Sequence, residues 1–487
     1  MAKKSSKSTA KKVEKAANKH PKLIAALAVI VAIIIVAAVI LYCVKPDIYH
    51  KFIGVGDHTW SEWEVKTEAT CGKKGLRSHI CTVCGEEEEE IIPATGSHNF
   101  GDDDICLVCG YDKNFFGTET EVSQAEFSIH IIDLGKNAGD SIYIKAGEND
   151  ILIDAGSTAS SATLICQYLN RYVTDGKLEY VIATHADKDH IAAFAGNVSG
   201  STRTGVLYEY KVDTLIKFDN VEEKKVGNAD NPKTEYGKFM AAVKYAQTQG
   251  TTVYTASQCY DEQNGAKRQY WLDSEHTLSM NILYNYYYYN VSGDENNHSV
   301  VTLFTKETET GKFNYLFTGD LEKDGESKMV DYYNSVPADK QTEYNVLPEV
   351  DFYKAGHHGS GTSSTEKLLN VIKPKYIAIS CCAGSPEYTK NNLNTFPYQA
   401  SLDNMLKHTE KIYCTGMATN LPKLQDGQFA SDKYDYVPMN GNIVFLFNTR
   451  TNAAGESTGN IKLWCSNSFD TLIQTEWFKN YRTYNQG

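Results

Sequence analysis

Residues 23–44, LIAALAVIVAIIIVAAVILYCV, run for 22 positions without a charged side chain, and no other stretch restricts the chain as tightly. Coiled as a helix the run would measure about 33 Å at 1.5 Å per residue, which matches the hydrocarbon core of a bilayer. A lone segment in lipid must satisfy its own backbone, and only a helix does so. The sequence therefore predicts one transmembrane helix over 23–44. Residues 1–22 hold eight lysines against the single Glu14; as the whole chain carries −13, the remainder carries −20. Lysines on the N-terminal flank place this basic tail in the cytoplasm and residues 45–487 outside, as a single-pass protein of the cell membrane. A cleaved signal peptide is the alternative, but its apolar core is typically about 7–15 residues and ends at a small-x-small site.

Of the twelve cysteines, Cys43, Cys71, Cys81, Cys84, Cys106 and Cys109 precede residue 120, and ligand spacing occurs only among these. CTVCGEE and CLVCGYD are two Cys-x-x-Cys-Gly turns, preceded by His58-Thr-Trp60 and His98-Asn-Phe100, which makes an internal near-repeat. The glycine of such a turn lets backbone amides point at the thiolates of a tetrahedral site. Residues 56–113 are thus expected to form a small zinc-ribbon-like module, with structural zinc ligands drawn from Cys71, Cys81, Cys84, His98, Cys106 and Cys109. Two partitions are open. One ion could take Cys81, Cys84, Cys106 and Cys109, or one could take His58, Cys71, Cys81 and Cys84 and leave His98, Cys106 and Cys109 for another. Disulfides in an oxidising exterior are the alternative. The segment with ATC, CxxCG and IPATG resembles short His/Cys repeats on surface proteins of Gram-positive gut bacteria, which implies an accessory role and a cell-surface partner. Glu86–Glu90 reads as a solvated face.

From residue 127 the pattern becomes apolar strands and amphipathic helices. FSIHII, SIYIKA, DILID, EYVIAT, DTLIKF, LSMNILY, SVVTLF, NYLFTG, VDFYKA, YIAIS and NIVFLF read as strands, with helices near 159–173, 235–249, 321–334, 364–372 and 397–408. This order predicts two packed sheets flanked by helices. YNYYYYN (284–290) reads as a tyrosine-rich edge or partly buried flap ahead of a substrate-facing loop.

After EYVIAT, the run His185-x-Asp187-x-Asp189-His190 places four first-row-metal ligands within six residues, where a strand ends and a helical stretch begins. Alternate ligands on an extended turn project to one side, so His185 and Asp187 can grip one ion while Asp189 and His190 reach a second. Three more polar groups end apolar strands: DAG (154–156), TGD (318–320) and HHGS (357–360). Asp320 suits a bridge between two cations, and His357 or His358 can complete the coordination of the second ion. Lys354, on the strand before the histidines, could neutralise charge developing on a substrate.

These motifs, with IIDLGKNAGDSIYI, LIDAG, THADKDH, NNHSVVTLF, LFTGD and FYKAGHHGS, resemble the metallo-β-lactamase superfamily, and within it the extracellular hydrolase domain of ComEC-type competence proteins. The resemblance covers about residues 127–447. It implies a four-layer αββα sandwich over 122–487, preceded by the transmembrane helix and the ribbon. It further implies a two-metal site of His185, Asp187, Asp189, His190, Asp320 and the His357/His358 pair, with Asp189, Lys354 and His358 as catalytic groups. Asp133, Asp154, Asn297 and Ser299 would orient the ligands. The family commonly carries His-x-His-x-Asp-His; Asp187 in place of the second histidine hardens the site, so manganese stands beside zinc. One transmembrane helix and no multi-helix channel separates this chain from the transport part of the competence proteins.

The expected function is a metal-dependent hydrolase acting outside the cell, using a two-metal activated water on a phosphodiester such as nucleic acid. The acidic exterior offers no bulk basic field to draw DNA. A thioester, lactone or β-lactam substrate is the alternative, as is a surface binding protein with a vestigial hydrolase fold.

Overall fold

The computed structural model describes residues 58–484, except 72–74, 102–105, 109–112, 114, 200–201, 343–344 and 452–453. The basic tail, the 23–44 run, Cys43 and Cys109 lie outside the described residues. Among the described residues no helix is long and apolar enough to cross a membrane. The chain divides into two compact units at Lys113/Asn114.

The first unit is an antiparallel meander of β1 (Glu64–Thr67), β2 (Gly75–Ile80) and β3 (Glu87–Ile92). Register places Arg77 opposite Glu90 and His79 opposite Glu88; the first closes as an ion pair at 2.6 Å and the second as a hydrogen bond at 3.0 Å. The glutamate run is therefore a solvated strand face whose charges are partly matched across the ladder. Rings stack along the other element of this unit: Trp60 on His79 at 4.3 Å and Trp63 on His79 at 3.7 Å.

Among the described residues the second unit forms two eight-stranded mixed sheets. Its strands are β4 (Phe127–Ile131), β5 (Ile142–Ala146), β6 (Asn149–Ile153), β7 (Lys177–Ala183), β8 (Lys211–Lys217), β9 (Thr252–Thr255), β10 (Gln269–Trp271), β11 (Leu278–Ile282), β12 (Thr302–Thr308), β13 (Gly311–Phe317), β14 (Phe352–Lys354), β15 (Tyr376–Ala383), β16 (Ile412–Thr419), β17 (Asp435–Pro438), β18 (Ile443–Thr451) and β19 (Ser457–Cys465). One sheet runs β9-β8-β7-β6-β5-β4-β18-β19 and the other β10 through β17 in order. Aromatic side chains from the two sheets meet between them, with Phe127 against Tyr315 at 5.0 Å and Phe445 against Phe352 at 4.8 Å. Helices α1 (Ser161–Leu169), α2 (Lys188–Ala195) and α3 (Glu235–Thr248) accompany the first sheet, while α4 (Lys323–Asn334), α5 (Glu366–Ile372) and α6 (Gln399–Leu406) bury Met329, Leu369 and Met405 against the second. This is a mixed α/β fold.

All the strands named from sequence form, and the five helices start and stop within a few residues of the expected limits. Strand β16 escaped notice because IYCTGMAT mixes a glycine and polar residues into a segment that is buried anyway; a Cβ on Gly416 would lie 2.4 Å from the Tyr436 ring. The tyrosine run folds as a flap: Tyr287 and Tyr288 are buried, and Tyr284 stacks on Tyr332 of α4 at 3.8 Å. Strands β6 to β9 are mutually parallel, as are β13 to β16. Polar residues just past the carboxyl ends of β6, β7, β13 and β14 are thereby collected at one end, where open α/β sheets place their ligands.

Candidate metal centre

Strand β7 ends at Ala183, and the next residues deliver the ligand run. Thr184 and His185 are buried, Asp187 caps α2, and Asp189 and His190 occupy its first turn. The DAG turn after β6 packs directly beneath. A Cβ on Gly156 would fall 1.5 Å from the Asp189 carbonyl oxygen, so only glycine permits this approach. Asp154, at φ 58°, accepts from the Thr184 amide (2.8 Å), the Thr184 hydroxyl (2.7 Å) and His190 Nδ1 (2.7 Å). Such a left-handed non-glycine costs about 1–3 kcal/mol, and here three bonds hold it.

That arrangement sets the proton on Nδ1 of His190 and aims its Nε2 inward, 3.1 Å from Asp320 Oδ2. Asp320 follows β13, and its amide donates to the Ser299 hydroxyl oxygen at 3.1 Å. His358 arrives from the end of β14. Its Nδ1 donates to the Ser380 carbonyl (2.9 Å), and its Nε2 lies 3.4 Å from Asp320 Oδ2 and 3.5 Å from Asp189 Oδ2. His185 Nε2 stands 3.6 Å from Asp187 Oδ2, and its ring centroid is 4.1 Å from that of His190. Overlapping ligand triads result, among them His185/His190/Asp320, Asp189/His190/His358 and Asp140/Asp320/His358, each with ligand atoms within 4.8 Å.

Buried side-chain atoms without a hydrogen-bond partner include His185 Nε2, His190 Nε2, His358 Nε2, Asp320 Oδ1 and Asp140 Oδ1. A buried polar atom left so costs about 1–3 kcal/mol, and five such atoms converge here. A divalent cation satisfies lone pairs of this kind, so the residues present fit a metal. Burial pushes the Asp320 carboxyl up, but the facing His190, His358 and His357 outweigh it and hold the group well below the usual carboxylate range. Burial likewise opposes ionisation of Asp187, and His185 and Lys225 reverse the effect.

Some expected roles change. Asp133 orients no histidine: it accepts from the Tyr436 hydroxyl and the Gly135 amide, while Asp140, on the return from the same loop, reaches the centre. Lys354 is 1% exposed and donates to Asp140 Oδ2 (2.8 Å) and the Ala355 carbonyl (2.9 Å), so the charge it neutralises is Asp140 rather than a substrate. Asn297 accepts from Gly325 near the start of α4. Ser299 does sit at the centre, 3.5 Å from His185 Nδ1. His357 stays at the mouth, with Nδ1 3.2 Å from Glu322 and Nε2 3.9 Å from Asp320. His298 faces Glu295 and the Ser292 amide.

Two further residues had no local signal. Buried Glu295 accepts from the amides of Ala186 (2.9 Å) and Glu222 (2.7 Å), holding the ligand run from a different element. Lys225 pairs with Asp187. Both come from segments 35 to 110 residues distant, which only the fold brings near.

Among solved structures, the metallo-β-lactamase SMB-1 aligns at 12% identity and a TM-score of 0.25, over 46% of this chain and 79% of that one. The family model of the metallo-beta-lactamase superfamily matches residues 134–209. ComE operon protein 3 of Bacillus subtilis (strain 168) is 27% identical over 309 residues, 60% of this chain and 32% of that protein. Recombination protein 2 of Haemophilus influenzae is 25% identical over 304 residues, 61% of this chain and 29% of that protein. The chain thus spans about a third of the length of these two relatives. The matched segment contains the ligand run His185–His190 and the loop bearing Asp140, and on these grounds the chain contains a metallo-β-lactamase superfamily hydrolase domain with ComEC-type homologues.

Proposed function

We propose that the chain is a membrane-anchored extracellular phosphodiesterase, with nucleic acid as the substrate class. The observation that carries this reading is the convergence of five unpaired buried ligand atoms, set among the carboxylates of Asp140, Asp187, Asp189 and Asp320. So oxygen-rich a site suits hard ions that grip phosphoryl oxygens, manganese as well as zinc. Two divalent ions, when bound, supply an activated water and polarise the attacked phosphoryl group. His185, Asp187, Asp189, His190, Asp320 and His358 would hold these ions. Asp154 and the Ser380 carbonyl keep the imidazole protons on Nδ1, so that Nε2 stays available. Asp189, whose side chain is 26% exposed beside His358, would be the group to accept a proton there.

An aromatic wall supports a base-bearing substrate. Phe396 lies 5.9 Å from both His357 and His358, and Tyr388, 59% exposed, leans on Phe396 at 5.5 Å. Exposed rings beside a phosphate site are surfaces on which nucleobases stack. Anchoring through 23–44, with the lysine tail inside, is supported by the sequence alone. The test is incubation of the purified chain with single- and double-stranded DNA and manganese or zinc. Metal-dependent cleavage that falls at least 100-fold in Asp320→Ala is expected. Absence of cleavage, or cleavage unchanged in that variant, overturns the reading.

A further inference from the structure

The first cysteines of the two knuckles are held alike. Trp60 bridges to Cys81 and Phe100 to Cys106, both antiparallel, so each His-x-aromatic segment lies beside the first cysteine of its own knuckle. The histidines come with them: His58 Nδ1 is 3.6 Å from Cys84 Sγ, and the His98 ring lies 5.5 Å from Phe100. Gly85, at φ 78°, closes the first turn, and the amides of Cys84 and Val83 reach the Cys81 sulfur.

Cys71, the cysteine outside both knuckles, belongs to the second half. The Thr95 amide bonds the Thr70 carbonyl (2.9 Å) and the Gly96 amide bonds the Cys71 carbonyl (3.2 Å), which carries Cys71 across. Its Sγ is 3.4 Å from Cys106 Sγ. Two separate triads follow, His58/Cys81/Cys84 and Cys71/His98/Cys106, each with ligand atoms within 4.8 Å of one another.

We propose that this unit binds two zinc ions, one held by His58, Cys81 and Cys84 and the other by Cys71, His98 and Cys106. Zinc–sulfur bonds of about 2.3 Å in a tetrahedron put ligand atoms about 3.8 Å apart, and the 3.4 and 3.6 Å separations are close to that spacing. The two thiolates and one imidazole of each triad are soft enough to select zinc over manganese. The sites differ in access. Cys71 and Cys106 are both buried in the second, whereas the first has only Cys81 buried and has the Glu86 carboxylate 3.5 Å from His58 Nε2 and 4.0 Å from Cys84 Sγ. The first site therefore exchanges its ion faster. A sheet of three short strands buries little apolar surface, so zinc binding is also what orders the unit. Neither partition open from spacing alone anticipates Cys71 joining His98. The proposal concerns this unit alone and stands independently of the hydrolase reading.

The full chain tests it through thiolate-specific signals, which the cysteine-free hydrolase centre does not produce. A mercurial thiol reagent should release two zinc ions per chain, in two phases, as counted with a chromogenic chelator. In the cobalt-substituted protein, Cys84→Ser and Cys106→Ser should each remove about half of the near-ultraviolet thiolate charge-transfer band. His98→Cys should keep both ions and strengthen that band, which separates loss of a ligand from misfolding. One zinc released, with either serine variant abolishing the whole band, would mean that the knuckles share an ion and overturns the proposal. Absence of the band together with a Cys71–Cys106 disulfide in non-reducing peptide maps overturns it too.

Discussion

Replacing Asp154 by asparagine isolates the device that aims His190. Asp154 and His190 are both 0% exposed, and the carboxylate accepts three bonds, one from His190 Nδ1 at 2.7 Å. Asparagine keeps one carbonyl oxygen, which the Thr184 amide claims at the Oδ1 position. The new NH2 group then faces His190 Nδ1 and can only donate to it, which forces the ring proton onto Nε2, the atom directed at Asp320. Partners that orient a metal-bound histidine in this way are worth about 10–100-fold in metal affinity, or about 1.4–2.7 kcal/mol. Manganese is the right probe, because the thiolates of the ribbon discriminate against it. Titration of the full chain, followed by the paramagnetic resonance of the free ion, should show that loss in Asp154→Asn. Asp133→Asn, whose carboxylate bonds Tyr436 and Gly135, should bind within about twofold of wild type. Manganese affinity of Asp154→Asn within about threefold of wild type, or an equal loss in Asp133→Asn, would refute the argument.

Two more outcomes follow from buried charges. Lys354→Met strips Asp140 of its 2.8 Å partner where both are 1% exposed, so it should destabilise the second unit by about 3–5 kcal/mol, read from urea midpoints. A lysine that met substrate would instead lose turnover and keep its midpoint. Burial pushes Glu326 up to about 7, against the pull of Thr365 and Ser364. The folded state then holds this proton at pH values where the unfolded chain has released it. Stability should fall as pH rises from about 4.5 to 7, by up to about 3 kcal/mol. Glu326→Gln cannot titrate, so the gap between wild-type and variant midpoints should change between pH 5 and pH 8; parallel curves would contradict this.

What was legible in the sequence were features set by neighbours along the chain. The ligand run His185–His190 stands out because α2 begins where β7 ends, and six residues bring its four ligands together locally. The apolar strands announced two sheets because parallel strands buried on both faces read as unbroken hydrophobic runs. The choice of Asp133 over Asp140 could not be settled in this way. Both flank one loop at the same end of a β-hairpin, and only the packing of that loop on the Asp189 carbonyl, 3.1 Å from the Asp140 amide, turns the second inward.

The role of Lys354 was invisible for a related reason. Strand alternation says that its side chain leaves the backbone on a given face, but not that Asp140, 214 residues away, will be there to meet it. The same holds for Cys71, whose spacing from Cys81 suggests one partner while backbone pairing with residues 95 and 96 supplies another. The sequence by itself determined the residue types able to bind metal and the strand ends that carry them, because those depend on side-chain chemistry and local periodicity. The tertiary structure alone decided which candidate ligands lie together, which histidine of the 357/358 pair turns inward and which charges are paired in the interior, because these depend on approaches between segments distant in the chain.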